Sequence, residues 1–181
     1  MAQRPGKKPI LIVTCGNPDA GDDGLGHAVA EALRADPVPG VTVKELGIRP
    51  ADLLDYVQGY AALIIVDAVS CPGEKPGKLM DVDWFDPARP FLRSEKTSST
   101  HGISLGRQID LGQALGILPL YVRVVGVNIA RTEIGYPMTE AVEMCIPDVV
   151  RIIKDHATSR KRGQGEYDNP AKNGWLFLRH Q

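Results

Sequence analysis

Acidic residues follow two apolar runs of the sequence, each of which predicts a buried strand. Asp22 and Asp23 lie in a glycine-rich turn, residues 16–26, directly after the run Ile10–Cys15, and Asp67 ends the second run. A carboxylate at the end of a buried strand is costly unless it is paired, hydrogen-bonded or bound to a cation. The three acids are therefore candidate cation ligands. The alternatives are that Asp22 and Asp23 cap a helix and that Asp67 makes a structural pair.

A histidine further along the chain is a further candidate ligand. His101 lies in a polar stretch that precedes a predicted helix. If the fold brings it to Asp23 and Asp67, two oxygens and one nitrogen form a mixed set that suits a divalent transition metal. A lone histidine on a loop is otherwise a surface or capping residue. The spacings of 44 and 34 residues mean that only the fold can bring the three together.

Other kinds of site fit the sequence less well. A phosphate-binding turn is disfavoured because the pattern G-x-G-x-x-G and a Walker lysine are absent, and two carboxylates repel phosphate unless a metal lies between them. A calcium loop that starts at Asp19 would have Ala30 at the position that requires a bidentate Glu. Ser104 lies in a G-x-S-x-G pattern typical of serine hydrolases, but a polar segment precedes it instead of a hydrophobic strand. Only His156 and His180 follow it as candidate bases.

Apolar periodicity along the chain predicts strands that alternate with helices. This order is typical of an α/β fold, a three-layer α/β/α sandwich with a mostly parallel twisted sheet and helices on both faces. Ligands of such folds bind beyond the carboxyl ends of the strands, where Asp23 and Asp67 are predicted to lie. Gly16, Gly21 and Gly24 are predicted to allow the turn after the first strand its backbone angles. The predicted strands are residues 10–15, 41–46, 62–69, 78–84 and 120–127, and the predicted helices are residues 24–36, 50–58, 103–115 and 140–156, the last interrupted near Pro147.

The composition of the chain favours one globular domain. Its 181 residues are 43% hydrophobic and carry a formal net charge of -1, without the positive excess of nucleic-acid-binding proteins. No apolar run approaches the roughly 18 residues of a membrane span. Cys15, Cys71 and Cys145 are an odd and unclustered set that forms neither a disulfide framework nor a Cys-x-x-Cys metal site, so we expect a reducing, cytoplasmic location. The balanced charge and the lack of a long apolar run predict neither a nucleic acid nor a membrane as partner. The domain is predicted to span residues 1–157, followed by a polar, mobile tail of residues 158–181.

Three motifs together resemble those of a known family. They are Gly16-Asn17 followed by Asp22-Asp23-Gly24, then Leu63–Val69 with its Asp67, then Ser99-Thr100-His101-Gly102. With these motifs in this order, the chain is similar from about Ile10 to Ile153 to the hydrogenase maturation endopeptidases. These enzymes remove the carboxyl-terminal extension from the large subunit of nickel–iron hydrogenase. The resemblance implies a twisted, mainly parallel sheet between helices, and Asp23, Asp67 and His101 as the residues that contact the metal.

The resemblance also implies how such a protein acts. The large-subunit precursor is the expected partner, and nickel is expected to arrive with it rather than remain permanently bound. Asp23, Asp67 and His101 would orient the nickel-loaded end of the precursor while water attacks the scissile carbonyl, in an aspartyl-type reaction carried out by a monomer. Two alternatives stay open. The same residues would sense nickel in a non-catalytic maturation chaperone, and Ser104 would be the nucleophile of a serine hydrolase.

Overall fold

A five-stranded sheet forms the centre of the protein. The computed structural model describes residues 9–71, 73–88 and 105–162. Its strands are β1 (Ile10–Cys15), β2 (Val41–Gly47), β3 (Ala62–Val69), β4 (Leu79–Asp83) and β5 (Val122–Asn128). Their order across the sheet is β2-β1-β3-β5-β4; the first four pair in parallel, and β4 is antiparallel to β5. The chain passes from β1 to β2 on one side and later to β3 on the other, so the strand order reverses between β1 and β3.

The strands β1 and β3 form the middle of the sheet, and every residue in them is buried. Their runs of Val, Ile and Leu are typical of parallel strands that are covered on both faces. Because successive side chains point to opposite faces, each strand contributes to two separate cores. Ile12 and Ile64 belong to one core, and Val13 and Ile65 belong to the other.

Helices cover both faces of the sheet. They are α1 (Leu25–Ala35), α2 (Leu53–Tyr56), α3 (Leu105–Ala114), α4 (Glu140–Glu143) and α5 (Ile146–Arg162). Val29 of α1 and Ile153 of α5 pack into the core on one face, and Leu53 of α2 and Ile109 of α3 pack into the core on the other. The predicted α/β/α sandwich is therefore confirmed. None of the helices in the described residues has the length and apolar content needed to cross a bilayer.

The last predicted helix differs from the structure in its end point. The interruption predicted near Pro147 falls between α4 and α5, and Pro147 is the second residue of α5, where a backbone N–H has no partner within the helix. The predicted end at His156 is wrong, because the helix continues to Arg162. Arg and Lys have high helix propensities, so the helix continues beyond the residues that show apolar periodicity. The predicted mobile tail thus begins inside a helix, and residues 163–181 lie outside the described part of the chain.

Candidate active site

Two side chains lie next to each other at the carboxyl ends of the central strands. β1 and β3 pair with Thr14 opposite Val66, so Cys15 and Asp67 are adjacent at the end of this register. Asp67 in turn pairs with Gly126 of β5. By alternation along the strands, Cys15 and Asp67 point to the face that α2 and α3 cover. This position, between β1 and β3, is where open α/β sheets bind their ligands.

The turn after β1 brings a second carboxylate to the same point. Asp23 is 2% exposed, and its Oδ2 accepts the backbone N–H of Asn17 at 2.8 Å. Gly16 has a φ of 129°, and a Cβ at this position would overlap the carbonyl oxygen of Asp23. A residue without a Cβ at position 16 therefore allows the turn to fold back against the end of β1.

The charges of both carboxylates act on the thiol of Cys15. Burial raises the pKa of this thiol well above its usual value, and the negative charges of Asp67 and Asp23 raise it further. Asp67 is itself only 3% exposed. The structure thus brings Asp23 and Asp67 together beside one buried thiol, and their roles as metal ligands stay a prediction. A thiol with so high a pKa remains protonated at neutral pH and is a poor nucleophile.

His101 and Ser104 lie outside the described residues, so the roles predicted for them stay predictions. The helix that follows them, α3, begins at Leu105, which belongs to the same apolar cluster as Cys15. In the part of the chain that the structure describes, no three His, Cys, Asp or Glu side chains are grouped so that they hold a metal ion.

Comparison with known proteins identifies the family of this chain. Residues 27–156, which are more than half of the sequence, match the family described as hydrogenase maturation protease. The chain belongs to this family. The matched range includes Asp67 and His101 and begins shortly after Asp23. No curated protein sequence matches the chain.

Solved structures of maturation proteases have the same fold. The maturating endopeptidase HybD from E. coli is 24% identical with a TM-score of 0.71, over 86% of this chain and 94% of that one. The nickel–iron hydrogenase maturation protease HybD from Thermococcus kodakarensis is 22% identical with a TM-score of 0.68, over 82% and 99% of the two chains. The endopeptidase HycI from Escherichia coli is 26% identical with a TM-score of 0.59, over 79% and 87%. These similarities confirm the α/β fold.

Asn128, at the end of β5, organises the loop after β3 and is a residue that the sequence patterns did not single out. Its buried Oδ1 accepts the backbone N–H of Cys71 at 2.7 Å, and its Nδ2 donates to the carbonyls of Glu74 and Lys75 at 2.8 and 3.1 Å. The signal that identifies it is the same as for Asp67, a polar residue at the end of a buried strand. Burial, with a smaller contribution from Glu74, raises the pKa of the Cys71 thiol to about 11. Cys71 is thus a buried structural thiol of this maturation protease.

Asp22 anchors a distant loop. It is fully buried; its Oδ2 accepts the backbone N–H groups of Ala130 and Arg131 at 2.8 and 3.2 Å, and its Oδ1 accepts that of Thr139 at 2.6 Å. Burial acts to raise the pKa of this carboxyl, but hydrogen bonds from these amides outweigh burial and hold the pKa below its usual range. Both carboxylate oxygens accept hydrogen bonds from this distant segment, which disfavours the alternative that Asp22 caps a helix. Asp22 instead attaches the loop of residues 130–139 to the acidic turn, residues 19–23.

Replacing Asp22 by Asn is expected to destabilise the maturation protease by about 2 kcal/mol, the range of hydrogen bonds made to a charged group. The amide turns an NH2 group toward at least one backbone N–H, which then loses its buried acceptor. Chemical unfolding at neutral pH measures the change. The matched control is Asp55→Asn at an exposed position of α2, which is expected to stay within about 0.5 kcal/mol of the wild type. Equal stabilities of Asp22→Asn and the wild type would show that the anchor is unimportant.

The glycines of the turn have two different functions. Gly16 and Gly21 have φ values of 129° and 56°, in the region that favours glycine, as predicted. The prediction for Gly24 is wrong, because its φ of −68° is an ordinary helical angle at the N-cap of α1. Gly26 is required for a close approach, since a Cβ there would overlap the carbonyl oxygen of Cys15. The first turn of α1 thus lies directly against the end of β1.

His156, a candidate base for Ser104, is bound at the edge of the sheet. Its Nε2 lies 2.8 Å from Oδ2 of Asp81, and its Nδ1 lies 2.7 Å from the hydroxyl of Tyr121. Asp81 also accepts a hydrogen bond from Nε of Arg123 at 3.0 Å. Both ring nitrogens are therefore engaged in a network between α5 and the strands β4 and β5. This arrangement does not favour the serine hydrolase alternative.

Proposed function

We propose that this maturation protease removes the carboxyl-terminal extension of a hydrogenase large-subunit precursor after nickel has been inserted. The observation that carries the proposal is the pair of buried carboxylates, Asp23 and Asp67, where the strand order of the sheet reverses. Two carboxylates held close together make a strongly negative site, which favours the binding of a cation. An ion that arrives with the substrate supplies the complementary charge.

Nickel is the part of the substrate that this site recognises. The carboxylates of Asp23 and Asp67, with the imidazole of His101 as third ligand, form a mixed set of oxygen and nitrogen donors. Such a set binds nickel more weakly than a closed thiolate site, so the ion stays with the hydrogenase subunit when the product leaves. Recognition and cleavage are thereby coupled, because only a loaded precursor presents an ion to these ligands.

The chemical step that we infer is attack of water on the scissile carbonyl. The water oxygen forms the new bond to carbon, the bond from carbon to nitrogen breaks, and a proton from the water passes through a carboxylate to the leaving amine. Asp23 and Asp67 are the described groups suited to relay that proton. Cys15 and Cys71 are unsuited as nucleophiles, because their raised pKa values keep both thiols protonated at neutral pH.

The place of action that we propose is the cytoplasm, and the active form is a monomer. Cys15, Cys71 and Cys145 are all free thiols, which agrees with a reducing compartment. Sedimentation of the purified protein tests the oligomeric state, and fractionation of cells tests the location.

Incubation of the protein with nickel-loaded and nickel-free precursor tests the proposed function. Intact mass spectrometry is expected to show loss of a short carboxyl-terminal peptide from the loaded precursor alone. His101→Ala is expected to abolish this cleavage, and Ser104→Ala is expected to leave it unchanged. Tight nickel-dependent binding without any change of mass would support a non-catalytic sensor. Cleavage that Ser104→Ala abolishes and His101→Ala spares would support a serine hydrolase.

A further inference from the structure

The loop of residues 130–139 exposes apolar side chains beside the candidate active site. Ile134 is 75% exposed and Tyr136 is 57% exposed. Exposed apolar side chains that lie close together mark interaction surfaces more often than isolated ones do. What these side chains bind depends on where the loop lies relative to the acidic turn.

Backbone hydrogen bonds join this loop to the acidic turn, residues 19–23. The N–H of Gly21 donates to the carbonyl of Tyr136 at 3.1 Å, and the N–H of Gly135 donates to the carbonyl of Asp19 at 2.8 Å. The two exposed side chains therefore flank a residue that is bonded directly to the turn. The anchor made by the buried carboxylate at position 22 strengthens this attachment.

An arginine holds the aromatic side chain in place. The guanidinium carbon of Arg131 lies 5.2 Å from the ring centroid of Tyr136, within the range of a cation–π interaction. Nη2 of Arg131 also donates to the carbonyl of Pro137 at 3.0 Å. An aromatic side chain that is ordered before binding loses little conformational entropy when a partner covers it.

A third exposed apolar residue follows directly after a residue that is hydrogen-bonded to the start of the turn. Ile48 is 62% exposed and follows β2, from which the chain leads to α2. The carbonyl of Gly47 accepts the N–H of Gly16 at 3.0 Å, and Gly16 lies directly against Asp23. Exposed apolar side chains are therefore carried by two separate segments that are hydrogen-bonded to the turn next to Asp23.

We propose that Ile48, Ile134 and Tyr136 form a docking surface for the nickel-bearing end of the hydrogenase large-subunit precursor, an inference that rests on the proposed function. The segments that carry these side chains are hydrogen-bonded to residues 16–21, next to Asp23, so a partner that presents an ion to the two acids comes close to these side chains. Weak metal ligands alone hold a large protein substrate poorly, and contacts remote from the reacting bond supply binding energy and orientation. Tyrosine and arginine, which meet on this loop, are enriched among residues that dominate binding energy.

Steady-state cleavage of nickel-loaded precursor tests the docking surface. We compare the wild type with Ile48→Ser and with a double variant that combines Ile134→Ser and Tyr136→Ser. In the double variant kcat/KM is expected to fall by about tenfold or more, mainly through KM, because loss of anchoring side chains weakens binding without changing the acids. The matched control is Leu120→Ser. Leu120 is 90% exposed but precedes the amino end of β5, at the opposite end of the parallel strands from the two acids, and its replacement is expected to leave KM and kcat unchanged.

Direct binding of the loaded precursor separates this proposal from the proposed function. If the wild type cleaves the precursor and the double variant cleaves it with the same KM, the docking surface is wrong and the function stands. If the wild type binds the precursor without cleaving it and the double variant does not bind, the docking surface stands and the function is wrong. If the wild type neither binds nor cleaves, both are wrong.

Two further measurements complete the test. Sedimentation of each protein alone shows whether the surface contacts a second copy. A change in sedimentation with no change in KM would overturn the proposal. Melting temperatures show whether the variants fold. If the double variant has a low melting temperature, the single variant Ile134→Ser is used in its place.

Discussion

Asp67→Asn is expected to slow cleavage of the nickel-loaded precursor by at least about 100-fold, which corresponds to about 2.7 kcal/mol of transition-state stabilisation. Asn has nearly the same shape but is neutral, so the site loses one of the two charges that attract the ion. It also loses a group that relays the proton of the attacking water. Single-turnover cleavage followed by intact mass measures the rate. The melting temperature is expected to stay close to that of the wild type, because the replacement leaves no cavity.

Asp81→Asn is the matched control for this prediction. Burial alone would raise the pKa of the Asp81 carboxyl, but the hydrogen bond and charge of His156, together with Arg123, hold it below its usual range. This charge therefore stabilises the edge of the sheet and has no part in the proposed site. The control is expected to lower the melting temperature and to keep the wild-type cleavage rate. A normal rate in Asp67→Asn, or a strong loss of rate in Asp81→Asn, would contradict the assignment of the site.

Gly26→Ala is expected to destabilise the protease by about 3 kcal/mol, although alanine is the better helix former by about 1 kcal/mol. The new Cβ would overlap the carbonyl oxygen of Cys15 and lie 2.8 Å from its carbonyl carbon. These are backbone atoms of a buried central strand, so relief of the overlap requires α1 to move away from β1. The acidic turn connects the two elements, and we therefore expect cleavage to fall as well. Urea unfolding measures the free energy of unfolding, and the precursor assay measures the activity.

Gly112→Ala is the matched control, since Gly112 is also a helical glycine in close contact with neighbours. A Cβ there would lie 2.8 Å from Cδ2 of Leu118 and 2.9 Å from Cδ2 of Leu54. Both atoms are the ends of flexible side chains that can rotate away. The gain in helix propensity offsets much of the remaining cost, so the change is expected to stay within about 1 kcal/mol. Equal destabilisation by the two substitutions would show that the backbone overlap at position 26 is not the decisive contact.

Local sequence patterns were enough to predict the layers of this fold and one of its functional candidates. Apolar runs and helical periodicity report the burial of short segments, and each predicted strand is present in the structure with only small differences at its ends. Asp67 was recognisable because a carboxylate at the end of a buried run is unfavourable without a compensating interaction. The motifs around it also sufficed to predict the family, which the match over residues 27–156 confirmed.

The different roles of the neighbouring acids were beyond the reach of local patterns. Asp22 and Asp23 are adjacent in the sequence, yet they bind different parts of the chain. Asp22 accepts the backbone N–H of Thr139, 117 residues later, whereas Asp23 accepts the backbone N–H of Asn17, six residues earlier. The role of Asn128 likewise comes from contact with a loop more than 50 residues earlier in the chain. The burial of a segment can be predicted from its own sequence, because it produces a periodic pattern of apolar residues. Contacts between distant segments produce no such local pattern, because they depend on the order in which parallel strands pair and on where each connection crosses the sheet.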